Sequence, residues 1–130
     1  MSDITKLINY TNRVKNDTKS IYASFILNKD QKIFKGHFPQ HPIVPGVMEM
    51  KLIEDIIFDT LSIKGGLKSA SNIKFLTPMF PEDNFEFQCE VLYSFKEDSI
   101  LECSSKIRRG NINYAIMNCS YEIFNSYYSN

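Results

Sequence analysis

The amino-acid sequence predicts a single α+β domain in which one long helix packs against a highly curved antiparallel sheet. One stretch, residues 47–61, contains neither glycine nor proline and repeats its apolar side chains close to the helical period. Several other stretches alternate apolar and polar residues, and short polar connections join them. The chain has 130 residues, which is the length of one domain, because most domains contain roughly 100 to 150 residues.

The predicted elements follow one another as a weak helix, a strand, the main helix and four further strands. The alternation is clear in the stretch that contains Phe85 and Phe87, where every second side chain is apolar. Short polar connections between the later strands, one of them containing Gly110, predict antiparallel hairpins. The predicted ranges are 4–15 for the weak helix, 47–61 for the main helix, and 21–27, 72–75, 85–93, 100–108 and 111–124 for the strands.

The main helix is predicted to be covered on most sides. Its apolar stripe is widened by Met48, Leu52 and Phe58. Pro45 is placed to open the helix, since proline is favoured at helix starts. The pair Gly65-Gly66 is expected to close the exit from the helix.

Composition excludes several classes of partner. Fifteen basic residues balance fifteen acidic ones, so no excess positive charge is available to bind nucleic acid or an anionic membrane. Apolar stretches are too short to span a bilayer, and the first residues lack the apolar core of a secretion signal. We therefore expect a cytoplasmic protein with no nucleic-acid or membrane partner.

The three cysteines are expected to be buried small apolar residues. Cys89, Cys103 and Cys119 are widely spaced, and none forms a CxxC or a Cys/His pair. This pattern predicts neither a disulfide framework nor a zinc site. We expect no metal and no cofactor.

The loop ahead of the main helix, residues 34–47, reads FKGHFPQHPIVPGV. Its prolines at positions 39, 42 and 45 fix the backbone and predict a rigid, extended entry to the helix. The loop also contains the two histidines of the chain, His37 and His41. The backbone N–H groups of Gly46 and Val47 follow at the predicted helix start, where they can stabilise an oxygen that gains negative charge. A base beside such N–H groups indicates a catalytic site, although the same loop could serve only to rigidify the helix entry.

The motif GHFPxxPxxPGV followed by a helix resembles the signature of the hot-dog-fold (3R)-hydroxyacyl-acyl carrier protein dehydratases. Residues 73–83, a strand followed by a proline-bearing turn, resemble a second landmark of that family. The resemblance covers roughly residues 18–124. It implies a hot-dog fold, in which a sheet wraps a long helix, and a homodimer.

The resemblance implies roles for individual residues. His37 would remove the α-proton of a 3-hydroxyacyl thioester, and the N–H of Gly46 would polarise the thioester carbonyl. Phe38 and Pro39 are expected, with Gly46 and Val47, to bind the substrate. His41 is expected to be a surface or rim residue.

The proton donor departs from the family pattern. The family carries a helix carboxylate five residues after the PGV glycine, and this position is Lys51. An ordinary lysine, with a pKa near ~10.4, is a weak acid. Asp55, one helical turn further, either supplies a displaced acid or pairs with Lys51. Glu49 lies about 200° around the helix from Lys51 and is expected to face elsewhere.

Three functions remain open. The first is a 3-hydroxyacyl thioester dehydratase, a hydro-lyase of fatty-acid or related acyl-chain biosynthesis, acting on an acyl-carrier protein or coenzyme A thioester. The second is a non-catalytic protein that binds acyl thioesters or acyl carriers, which Lys51 favours. The third, with less support, is a hot-dog thioesterase.

Overall fold

The computed structural model of the chain describes residues 7–28, 43–81 and 84–126. Within these ranges it contains one long helix and six strands. They are β1 (Ile8–Asn16), β2 (Ser20–Leu27), α1 (Gly46–Leu61), β3 (Ile63–Phe75), β4 (Glu86–Glu97), β5 (Ile100–Arg109) and β6 (Ile112–Ser126). No helix among the described residues is both long enough and apolar enough to cross a membrane.

The strands form one antiparallel sheet in the order β1-β2-β4-β5-β6-β3. Helix α1 contacts β1 and β2 near one end of the sheet and β3 at the other end. The sheet must therefore curve around the helix. This arrangement confirms the predicted α+β class and the hot-dog fold.

The core lies between the helix and the inner face of the sheet. Leu52, Ile53, Ile56 and Ile57 of α1 are fully buried. On the sheet, the aromatic ring of Phe87 packs against the rings of Phe25 and Tyr114. It lies 5.8 Å from the Phe25 ring and 5.1 Å from the Tyr114 ring, measured between centroids. Each such side chain stabilises the fold by about 1.5–3 kcal/mol when it leaves water. The three cysteines are buried as predicted: Cys89, Cys103 and Cys119.

The prediction of a helix over residues 4–15 is wrong. Residues 8–16 form strand β1, which pairs with β2 from Ile8 opposite Leu27 to Asn16 opposite Ser20. The apolar spacing of this stretch fits a helix as well as a strand, and a short segment follows whichever partner buries it. The partner here is the exposed edge that β2 would otherwise present. Residues 4–6 lie outside the described residues.

The pair Gly65-Gly66 does not close the helix, contrary to the prediction. The helix ends at Leu61, and Ser62 takes the left-handed conformation (φ 57°) while its N–H donates to the carbonyl of Phe58. Both glycines lie inside β3, opposite Ile123 and Glu122. Strand β3 runs from Ile63 to Phe75, so it begins nine residues before the strand predicted over 72–75. Its side chains are mostly exposed, which hides the alternation that reveals other strands.

We predict that Gly65→Ala destabilises the fold by roughly 1–3 kcal/mol, the usual cost of overpacking. A Cβ atom on Gly65 would overlap the backbone oxygen of Glu122, which cannot move without disturbing the β3–β6 pairing. Urea unfolding followed by circular dichroism measures the change.

Gly66→Ala is the matched control for this prediction. Its added Cβ would first meet the outer ring edge of Phe124, 3.3 Å away, and that exposed side chain can shift. Equal stability of the two variants would contradict the assigned close approach at Gly65.

Candidate active site at the start of the helix

The start of α1 is fixed by Val44 and Pro45, the two residues before it. The N–H of Val44 donates to the carbonyl of Met79 at 2.8 Å, which ties this entry to the loop after β3. Pro45 is extended (φ −63°, ψ 149°), and its carbonyl accepts from the N–H groups of Met48 and Glu49. The N–H groups of Gly46 and Val47 have no acceptor within the helix, because the first-turn donors precede the helical hydrogen-bond ladder. The positive end of the helix dipole lies at the same place.

Gly46 permits a close approach between the helix start and β3. A Cβ atom at this position would lie 2.7 Å from the ring of Phe75. Val47 is 74% exposed, although it is an apolar residue. The two predicted donor residues thus lie at an open end of the helix, with an aromatic ring beside them.

An open pocket of about 260 Å³ borders this helix start. The helix side of its lining consists of Val47, Met50, Lys51 and Glu54, and the opposite side consists of Leu67 of β3 with Cys119 and Tyr121 of β6. The lining is mostly apolar, and its two charged residues, Lys51 and Glu54, both lie on the helix side and pair with each other. Such a surface suits an apolar chain that ends in a polar group.

Lys51 takes part in an ion-pair network along the exposed side of the helix. Its Nζ lies 2.7 Å from Oε2 of Glu54 and 3.6 Å from Oδ1 of Asp55, and its side chain is 44% exposed. The hydrogen bond to Glu54 raises the pKa of Lys51. The lysine is therefore a still weaker acid than an ordinary one. The sequence suggested only Asp55 as its partner, and the closer contact with Glu54 was missed.

Asp55 is the carboxyl that the sequence put forward as a displaced acid. Burial raises its pKa to about 6, and the charge of Lys51 acts in the opposite direction. Its Oδ2 is buried without a hydrogen-bond partner. The predicted pairing with Lys51 is present, and at neutral pH most of the Asp55 carboxyl is ionised.

The burial of Glu49 was not predicted from the sequence. Glu49 does face away from Lys51, as predicted, but it is only 3% exposed. Its Oε1 has no hydrogen-bond partner, and burial raises its pKa to about 8. One signal was available in the sequence: Glu49 precedes Leu52 and Ile53 by three and four residues, so it lies in the apolar stripe of the helix.

The remaining predicted site residues, His37, Phe38 and Pro39, lie outside the described residues, as does His41. Among the residues that are described, no group of three or more His, Cys, Asp or Glu side chains is arranged to hold a metal ion. The described part of the site therefore consists of the helix start, the neighbouring pocket and the helix carboxyls.

A family model described as ApeI-like, ApeI dehydratase, matches residues 13–111 of the chain. The 3-hydroxyacyl-acyl-carrier-protein dehydratase FabZ of Campylobacter fetus subsp. fetus is 34% identical over 87 residues, which cover 57% of this chain and 59% of the relative. The protein of the same name from Haemophilus influenzae is 30% identical over 74 residues, covering 51% of this chain and 50% of the relative. The chain thus spans only half to three fifths of the length of these relatives.

Solved structures show the same fold at low sequence identity. The dehydratase heterocomplex ApeI:P from Xenorhabdus doucetiae matches with a TM-score of 0.66 and 15% identity, covering 91% of this chain and 98% of that chain. A hypothetical thioesterase with coenzyme A from Streptococcus pneumoniae matches with a TM-score of 0.63 and 11% identity, covering 91% of this chain and 88% of the other. Both matches support the hot-dog architecture.

We predict that Glu49 makes the protein less stable as the pH rises. The folded state keeps the Glu49 proton up to a pH of about 8, whereas the unfolded chain loses it near the ordinary value of 4.5. The stabilisation is complete below the lower value and is lost as the pH rises through the higher one, by an amount on the order of a few kcal/mol. The neutral variant Glu49→Gln should unfold at higher urea concentration than the parent at pH 8.

Measurements between pH 6 and 8 separate this effect from that of Asp55, whose pKa is about 6. The control is Glu97→Gln, which neutralises an exposed carboxyl at the end of β4 and should keep the pH dependence of the parent. A Glu49→Gln protein with the parent's pH dependence would show that Glu49 is not buried as described.

Proposed function

Because the chain belongs to the ApeI-like dehydratase family, we propose that it removes water from a 3-hydroxyacyl thioester to give a 2-enoyl thioester. The family match covers residues 13–111 and includes the GHFPxxPxxPGV loop and helix α1. The observation that carries the proposal is the helix start, where the N–H groups of Gly46 and Val47 precede the helical hydrogen-bond ladder and have no acceptor within the helix.

In the proposed reaction these N–H groups donate hydrogen bonds to the thioester carbonyl oxygen. Removal of the α-proton places negative charge on that oxygen, and fixed donors at a helix start stabilise such charge without reorganising. His37 is proposed to remove the proton, since its ordinary pKa near ~6.5 leaves the base form available at neutral pH. Phe38 and Pro39 are proposed to contact the substrate beside it.

The departing hydroxyl needs a proton. Lys51 fits this role poorly, because its pKa is raised by Glu54. Asp55, with a pKa of about 6, remains a predicted donor, although most of it is ionised at neutral pH and Lys51 lies 3.6 Å away. Neither Lys51 nor Asp55 is therefore well suited to protonate the departing hydroxyl at neutral pH.

The substrate class is proposed from the relatives and from the pocket. The Campylobacter and Haemophilus relatives are both named 3-hydroxyacyl-acyl-carrier-protein dehydratases. The apolar side chains of Val47, Met50 and Leu67 offer a surface for an acyl chain. We propose an acyl thioester carried by a carrier protein or by coenzyme A as the substrate.

A second candidate function is non-catalytic binding of acyl thioesters, and Lys51 is the observation that favours it. A cation at the position where the dehydratases that this chain resembles carry an acid, held by Glu54 and Asp55, leaves only a very weak acid there. Incubation of the purified protein with 3-hydroxyacyl and 2-enoyl carrier-protein thioesters separates the two functions. Interconversion in either direction supports the enzyme, whereas binding without conversion supports the second candidate.

We also propose that the chain forms a homodimer through β3. This strand is the last in the sheet order, and its free edge is accompanied by exposed apolar side chains, Leu67, Ile73 and Phe75. Unpaired strand edges with apolar side chains associate readily with a second strand. Leu67 of this edge strand also lines the open pocket beside Val47.

For the active-site assignment, we predict that His37→Ala lowers kcat/KM for dehydration by roughly 10²- to 10⁴-fold, the usual loss for a positioned base. His41→Ala should remain within a few-fold of the parent, because this histidine falls between two prolines of the loop and the family resemblance assigns it no role. Steady-state assays of both variants decide the matter. Parent-like activity of His37→Ala would remove His37 from the mechanism.

For the dimer, we predict sedimentation of the parent at about twice 15.1 kDa and a shift of Leu67→Glu toward the monomer. Leu67 is 46% exposed on the edge strand, and a carboxylate there would be buried unpaired on association. Leu92→Glu is the matched control, since Leu92 is 63% exposed on β4 inside the sheet. A parent that sediments as a monomer would contradict the proposed interface.

A further inference from the structure

We propose that Glu49 donates the proton with which the substrate hydroxyl leaves as water. The inference rests on the proposed dehydration and supplies the donor that this reaction lacks. It depends on where the carboxyl lies on the helix, on its burial, and on what the alternative donors are bound to.

Glu49 lies at the same end of α1 as the free N–H groups. Its own N–H donates to the Pro45 carbonyl at 3.1 Å, which places it in the first helical turn. It follows Gly46 by three residues, and the two positions are therefore only about 60° apart around the helix axis. Helical side chains also tilt toward the N-terminus. Glu49 therefore belongs to the helix end where the thioester carbonyl is proposed to bind.

The Glu49 carboxyl is buried and incompletely satisfied. It is 3% exposed, and its Oε1 has no hydrogen-bond partner. Buried polar atoms without a partner are rare in native proteins, and each one needs a reason. The next residues on the same side of the helix, Leu52 and Ile53, are apolar and cannot satisfy it. The hydroxyl group of a bound substrate would provide the missing partner.

The protonation state of Glu49 suits a donor. With a pKa of about 8, caused by burial, the carboxyl holds its proton at neutral pH. Asp55 is ionised for the most part, with a pKa of about 6, and its Oδ1 faces Lys51. Lys51 in turn is bound by Glu54. Of these four helix side chains, Glu49 alone is an uncharged acid at neutral pH with no ion-pair partner.

The proton and electron balance of the step is complete. The base takes the α-proton, the electrons of the C–H bond form the new carbon–carbon double bond, and the bond from the β-carbon to the hydroxyl oxygen breaks. That oxygen takes the Glu49 proton and leaves as water. Glu49 is left as a carboxylate and the base as its protonated form. Transfer of the proton from the base to the carboxylate through solvent restores both groups, and hydration is the same sequence in reverse.

The test is the steady-state dehydration of a 3-hydroxyacyl carrier-protein thioester by the full chain and its variants. Glu49→Gln keeps the shape but has no acidic proton, so we expect kcat to fall by about 10²-fold or more with KM within a few-fold. Glu49→Asp should recover part of the loss. Asp55→Asn should lower kcat by much less than Glu49→Gln does, because most of the Asp55 carboxyl is already ionised at neutral pH. Asp59→Asn, which changes an exposed carboxyl further along the same helix, is the control for helix perturbation.

Glu49→Met separates a catalytic role from a structural one. It replaces the unsatisfied carboxyl with an apolar side chain of similar size, so the variant should resist urea better than the parent at pH 8 while turnover is lost. A parent-like kcat in Glu49→Gln or Glu49→Met overturns the inference and leaves the dehydratase proposal intact. A larger loss in Asp55→Asn than in Glu49→Gln does the same. A parent that converts neither the hydroxyacyl nor the enoyl thioester overturns the proposed function, and the inference with it.

Discussion

The packing of one helix face against a single curved sheet is the constraint on which this structure depends. Four fully buried residues of α1, from Leu52 to Ile57, fill the space that the sheet encloses. Strands at both ends of the sheet contact the helix, so the sheet cannot flatten without exposing the buried face of the helix. Since the helix is held along its length, its first turn is held too, and the hydrogen bond from Val44 to Met79 fixes the chain just before it. The packing of the core therefore fixes the position of the candidate site.

The same packing explains why an acid in the first turn is costly. Glu49 begins the buried side of the helix, so that its carboxyl leaves water together with the apolar side chains that follow. An apolar residue there would extend the core and remove an unsatisfied oxygen. Natural proteins commonly give up stability at sites that carry function. The ion-pair network of Lys51 carries no comparable cost, because its lysine is exposed and such pairs contribute only about 0–1 kcal/mol.

Sequence reasoning succeeded for elements whose own apolar pattern is enough to identify them as a helix or a strand. The main helix and strand β2 were predicted within one residue at each end, because burial of one face imposes a clear period on their side chains. It failed for β1 and for most of β3, the two edge strands, whose exposed side chains show little alternation and whose pairing is set by distant partners. At the site, the motif located Gly46 and Val47 at the helix start. The burial of Glu49 was missed because it depends on how the sheet closes over the helix.

Two opposing effects act on the Glu49 carboxyl, and their sizes show why it can both hold and release a proton. The helix dipole favours a negative charge in the first turn by typically 0.3–1 kcal/mol. Removal of a carboxylate from water costs several kcal/mol, so burial prevails and the pKa rises to about 8. Once the hydroxyl leaves, however, the carboxylate that remains belongs to the first turn of the helix, where the positive end of the helix dipole lies. The acid is protonated before the reaction, and the helix lowers the cost of the charge that the reaction creates.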